Sequence, residues 1–286
     1  MEMNIQDTYH LYQEMLQLDN DERMDFYQNK LMEPFLALFK KMNMPVTPEA
    51  IGCLPITGHD AEMNLMLEQL KNAAAWNKAH ETLETSVQRF QQANIATPEK
   101  VVLGIFLGNP AFLANNEGYT GFGAIPGYIQ IVIAPNDYNL PRLQACIAHE
   151  FHHNVFATNA KWNFMNVSVA KYAAMEGLAE SFAASLYGEA YIGPWVTSVK
   201  GADLEKAQEI IGKSLHIQGF HEVRQYIFGD QMMNFDGSAA TGIPAFAGYA
   251  VGYYAVQSYL KKTGITVEQA TLIDGEKIME ESGFFQ

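Results

Sequence analysis

The stretch Leu140–Thr158, LPRLQACIAHEFHHNVFAT, restricts what this chain can fold into more than any other. It holds His149-Glu150-Phe151-His152-His153, an HExxH pattern. On a helix, residues four apart share a face, with Cβ atoms about 5–6 Å apart. The imidazoles of His149 and His153 then stand side by side, at a spacing one metal ion bridges. Glu150 falls beside such an ion, where a carboxylate serves as the base of zinc-assisted hydrolysis. His152 follows His149 by three residues and can also reach that face. Placing Glu150 between the two ligands favours His153 and leaves His152 as a neighbour.

The stretch reads as a helix. Pro141 suits a first helical position, where a missing N–H costs nothing. The turn formers Pro135, Asn136, Asp137 and Asn139 precede it. Leu143, Cys146, Ile147, Phe151 and Val155 then recur at helical spacing, and neither Gly nor Pro interrupts Arg142 to Thr158.

Around this helix the chain predicts an α+β fold, mostly helical, with a small sheet beside the motif helix and a helical C-terminal lobe. Residues 3–45 read as helical, on the apolar stripes Ile5, Tyr9, Tyr12, Leu16 and Met24 to Phe39, and residues 60–93 return to helix. Residues 1–97 are expected to form an N-terminal helical region packed on a metallopeptidase domain, 98–286. Val101–Leu107 and Tyr128–Ala134 are short, β-branched apolar runs and predict buried strands. Between them Gly118–Gly127, GYTGFGAIPG, is either a hairpin loop or an edge strand with its backbone held open to an extended substrate. Residues 159–166 read as a polar linker.

The next helix, Val167–Tyr187, carries Glu176 and Glu180 four apart on one face. Ala173, Ala174, Leu178, Ala179, Phe182 and Ala183 flank them and leave no comfortable solvent face. Buried carboxylates need a partner, and a zinc ion held by two histidines supplies one. Later, Pro244–Leu260 predicts an aromatic helix with Tyr249 and Tyr253 on one face.

A net charge of −14 over 286 residues repels phosphate backbones and argues against nucleic acid. Hydrophobic residues make up 48% and charged residues 17%, which suits a large core. Cys53 and Cys146 make no disulfide framework. The first residues, MEMNIQDTYHLYQEM, lack a basic-then-apolar run, and no apolar stretch reaches membrane length. A cytoplasmic location away from membranes is the expectation.

HExxH on one helix with a Glu on the next resembles the gluzincin pattern. That resemblance implies a zincin-like fold, Glu176 as third zinc ligand and Glu180 as an acid supporting a ligand histidine. The string MEGLAESFA is similar to the corresponding segment of zinc aminopeptidases. Those enzymes also carry a Tyr-x-x-Gly whose hydroxyl stabilises the oxyanion. It matches Tyr249-Ala-Val-Gly252, with Val251 where those enzymes have Lys, and Tyr253 is the alternative one turn on. Over roughly residues 100–286 the chain resembles the YjaZ-like family of predicted zinc-dependent proteases, on HEFHH, EGLAE, Gly193-Pro194-Trp195 and PAFAGYAVGYYAV. The implied activity is hydrolysis of a peptide or protein substrate by one Zn²⁺ held by His149, His153 and Glu176. Glu150 is then the general base, and Tyr249 or Tyr253 the oxyanion donor. The rival is a zinc-stabilised regulatory or binding protein without turnover, and a third reading is hydrolysis of a non-peptide amide or ester. Endo- or exopeptidase action and oligomeric state are left open.

Overall fold

Residues 1–160, 163–230 and 242–286 are described by a computed structural model. Lys161 and Trp162, inside the expected polar linker, lie outside the described residues. The chain divides into two units, one of residues 1–88 with 97–155 and one of residues 89–96 with 156–286. The first unit thus joins residues from both sides of position 97.

The first unit is built on a sheet of β1 (Glu2–Ile5), β2 (Lys100–Leu107), β3 (Tyr119–Phe122) and β4 (Tyr128–Ile133), in the order β1-β2-β4-β3. β1 and β4 run parallel to β2, whereas β3 is antiparallel to β4 and forms an edge. After its first residue β2 is buried throughout, and β4 nearly so. Strands covered on both faces read as continuous apolar runs, which is why these two were visible in the sequence. Helices α1 (Thr8–Met15), α2 (Arg23–Phe26), α3 (Leu36–Met42), α4 (Asp60–Asn72) and most of α5 (Ala75–Gln92) also belong to this unit. Phe35 and Phe106 meet edge to face at 5.5 Å in its core.

The helical expectation for residues 3–45 needs two corrections. Glu2–Ile5 pair with Lys100–Leu103 as a strand, and helix begins only after Asp7, whose side chain accepts the His10 N–H. Further on, Tyr27–Leu31 form a π turn and Glu33–Phe35 a 3₁₀ turn. Pro34 has no N–H to donate and breaks the helical ladder there. Residues 60–93 are cut at Ala74, which sits at φ 55°, separating α4 from α5.

The second unit is helical among its described residues: α7 (Val169–Tyr187), α8 (Pro194–Thr197), α9 (Ala202–Ser214), α10 (Phe220–Phe228), α11 (Ala247–Thr263), α12 (Val267–Ala270) and α13 (Gly275–Glu281). The Ser168 side chain caps α7 by accepting the Lys171 N–H. Every residue from Tyr172 to Ala183 is buried, so α7 is the axis of this unit. α11 lies directly on it. A Cβ on Gly177 would run into the Gly252 carbonyl, and one on Gly252 into the Ala173 carbonyl. The end of α5 also belongs here, with Phe90 4.7 Å from Phe182, centroid to centroid, and Arg89 paired with Glu268. The fold is therefore α+β and mostly helical, with one small sheet and a helical C-terminal part. No helix among the described residues is long and apolar enough to cross a membrane.

Candidate metal centre

The expected motif helix is present as α6 (Leu143–Asn159), entered through a 3₁₀ turn at Leu140–Arg142. Asn139, fully buried, fixes that entry by donating to the carbonyls of Glu117 and Ala134 and accepting the Asn136 N–H. His149, Glu150, His152 and His153 are all buried.

On α6 the Nε2 atoms of His149 and His153 stand 3.0 Å apart, with the rings edge to face at 4.7 Å between centroids. In its neutral form an imidazole nitrogen without hydrogen is an acceptor, and two acceptors repel unless a proton or a cation lies between them. A tetrahedral zinc with Zn–N bonds of about 2.0–2.1 Å sets two ligand nitrogens about 3.3 Å apart. The observed separation lies within a few tenths of an ångström of that value, so this pair fits zinc. His152 has its ring centroid 6.4 Å from that of His153.

Glu150 is held against the edge of the sheet. A Cβ on Gly121, in β3, would collide with the Glu150 carboxylate, and one on Gly123 with the Glu150 backbone carbonyl. The glycines between the two expected strands thus let α6 lie on the sheet edge at the motif. Gly118–Gly127 is both of the things its sequence allowed: Tyr119–Phe122 are an edge strand, and Gly123–Gly127 a loop.

Asn154 is a residue the sequence reading missed. Fully buried next to His153, it accepts the Gly127 N–H at 2.7 Å and donates to the carbonyls of Gly123 at 2.7 Å and Tyr128 at 3.0 Å. One side chain so ties the motif helix to the β3–β4 loop. The sequence signal was an amide inside the motif helix, directly after His153.

In the second unit Glu176 and Glu180 lie one turn apart on α7, and both are buried. Burial, and then the nearby Glu176 carboxylate, push the Tyr172 hydroxyl well above the ordinary phenol range. Glu180 takes two donors, the Gly193 N–H at 2.6 Å and the Trp195 Nε1–H at 2.8 Å. Gly193-Pro194-Trp195 is thereby anchored to α7. Of the two tyrosines on α11, Tyr249 is half-buried with its ring 6.1 Å from those of Phe228 and Phe246. Tyr253 is buried and lines a cavity with Arg89, Ser181 and Glu189. Its hydroxyl has no hydrogen-bond partner. Burial first, then the Glu189 and Glu180 carboxylates, raise it far enough that it stays protonated. Gly252, the glycine of Tyr-x-x-Gly, has a packing reason in the α7–α11 contact.

The family model described as "Predicted Zn-dependent protease (DUF2268)" matches residues 75–280. The chain belongs to this family. The match takes in β2, β3, β4, α6, α7 and α11, so every candidate site residue falls inside it. A relative in Bacillus subtilis (strain 168), described as "Uncharacterized protein YjfC", is 35% identical over 297 aligned positions, covering 100% of this chain and 99% of the relative. No solved structure matches the chain.

Proposed function

We propose that the chain is a zinc-dependent peptide hydrolase in which His149, His153 and Glu176 hold one zinc ion and Glu150 is the general base. The observation that carries the reading is the imidazole pair on α6, buried and with its two Nε2 atoms 3.0 Å apart. Support for Glu176 comes from its burial on α7, where a carboxylate needs a partner. The family description supplies zinc and proteolysis in general terms.

Bound zinc contributes Lewis acidity, polarising a carbonyl and bringing the pKa of a water towards about 7. The work of the chain is to place groups around that chemistry. Glu150, fixed against Gly121, accepts the proton of the attacking water and returns it to the leaving amine. The edge of β3 receives the substrate backbone. Tyr249 or Tyr253 donates to the developing oxyanion. Glu180 accepts the outer N–H of a ligand histidine, its carboxylate steadied by Gly193 and Trp195.

The test combines metal analysis of the purified protein with a quenched peptide library, with and without a chelator. The reading expects about one equivalent of zinc and chelator-sensitive cleavage. Glu150→Gln should keep the zinc and lower cleavage by about 10²–10⁴-fold. Loss of zinc from that variant makes Glu150 a ligand and ends its role as base. Zinc without cleavage points to a binding protein on this scaffold, and activity on small amides alone to a different substrate.

A further inference from the structure

We infer that the β3 edge carries a side-chain subsite, selecting peptides with a large apolar residue next to the one that faces Glu150. The inference rests on the peptide-hydrolase reading for its occupant, but its geometry belongs to the first unit alone. The Gly118 carbonyl accepts the Ala134 N–H. With the register Thr120↔Val132, Gly121↔Ile131 and Phe122↔Gln130, hydrogen-bonded pairs alternate from there. Thr120 and Phe122 therefore bond to β4, and the N–H and C=O of Gly121 turn away from β4, towards the open edge. An extended peptide added at that edge pairs its backbone with Gly121.

Side chains of a strand alternate between the two faces of a sheet. Gly121 presents its α6 face to Glu150. A substrate residue opposite Gly121 directs its side chain to that same face, and its neighbours direct theirs to the other. On that other face lies an open cavity of about 220 Å³. Thr120, Phe122, Gln130 and Val132 form its floor, and Phe39 and Ala50 are among the residues that wall it. Two large apolar side chains at this cavity are exposed, Met42 at 37% and Phe112 at 67%.

Such a cavity, continuous with an edge strand, suits an aliphatic or aromatic side chain. One polar group refines the fit. Gln130 is 4% exposed, and its Nε2 has no hydrogen-bond partner. A buried amide left unmatched is unfavourable, and an acceptor on the ligand removes that penalty. The occupant is therefore a large apolar residue, and a tyrosine, with a hydroxyl to accept from Gln130, should serve at least as well as phenylalanine.

The experiment measures binding, so that turnover is not needed. Zinc-loaded Glu150→Gln protein is titrated with capped hexapeptides that differ only by Leu, Phe, Tyr or Asp at one position, scanned through the four central sites. At one position Leu, Phe and Tyr should bind on the order of tenfold or more tighter than Asp. Ala50→Trp fills the cavity from a half-buried position, and Met42→Asp charges an exposed one. Each should cut the preference to about threefold or less, with melting curves confirming the fold. Equal binding of all four peptides, no binding of any, or a preference that survives both variants overturns the subsite. Selective binding without cleavage of the same peptides by the unmodified protein removes the hydrolase reading and leaves the subsite standing. Cleavage without selectivity does the reverse.

Discussion

α6 and α7 are both helices buried on nearly every side, and both carry charged or polar side chains that a buried helix would ordinarily avoid. They handle those side chains differently. On α7 the Glu180 carboxylate is matched by two donors, from Gly193 and Trp195, as burial of a charge demands. On α6 Asn154 is matched in the same way, by two backbone groups of the β3–β4 loop and one at the start of β4. The imidazole pair on α6 differs in that its two Nε2 atoms meet each other at 3.0 Å, a contact that either a shared proton or a bound cation makes favourable. Polar groups that complete one another hold the scaffold, and the imidazole pair is where the proposed metal would be added to it.

The strongest way to break that contrast is His149→Ala. Bound zinc should fall from about one equivalent to background, read by mass spectrometry, whereas His152→Ala should keep it. The reverse result puts the ligand register on α6 in error. Asn154→Ala should leave buried loop groups unmatched and lower the unfolding free energy by about 3 kcal/mol in a urea titration. Were stability unchanged, Asn154 would not be the tie it is taken for. Gly177→Ala forces a methyl against the Gly252 carbonyl, and about 2 kcal/mol of destabilisation is expected in thermal melts. Trp195→Phe removes one hydrogen bond to a carboxylate, for about 1.5 kcal/mol. Zinc content that survives this change unaltered would separate the anchoring of Gly193–Trp195 from metal binding.

The parts of the fold legible in the sequence were those whose cause is local. The α6 stripe, the two apolar strands and the shared face of Glu176 and Glu180 each follow from periodicity over a few turns or residues. β1 was not legible, because Glu2–Ile5 form a strand only through Lys100–Leu103, nearly a hundred residues away. The π turn at Tyr27–Leu31 was hidden for a related reason: its residues continue an apolar stripe that fits an unbroken helix equally well. Within the candidate site, the close pairing of His149 and His153 was readable from their spacing. The partners of Glu180 and of Asn154 were not, since each is supplied by a segment whose position only the folded chain determines.

The β3–β4 loop has a consequence for engineering. Hairpin turns at a protein surface usually accept inserted tags, epitopes or whole guest domains. Here Asn154 clasps both ends of the turn, at Gly123 and Gly127, and Gly121 just ahead of it leaves room for Glu150. Lengthening this turn would loosen the seat of the proposed base, so a guest sequence is better grafted elsewhere.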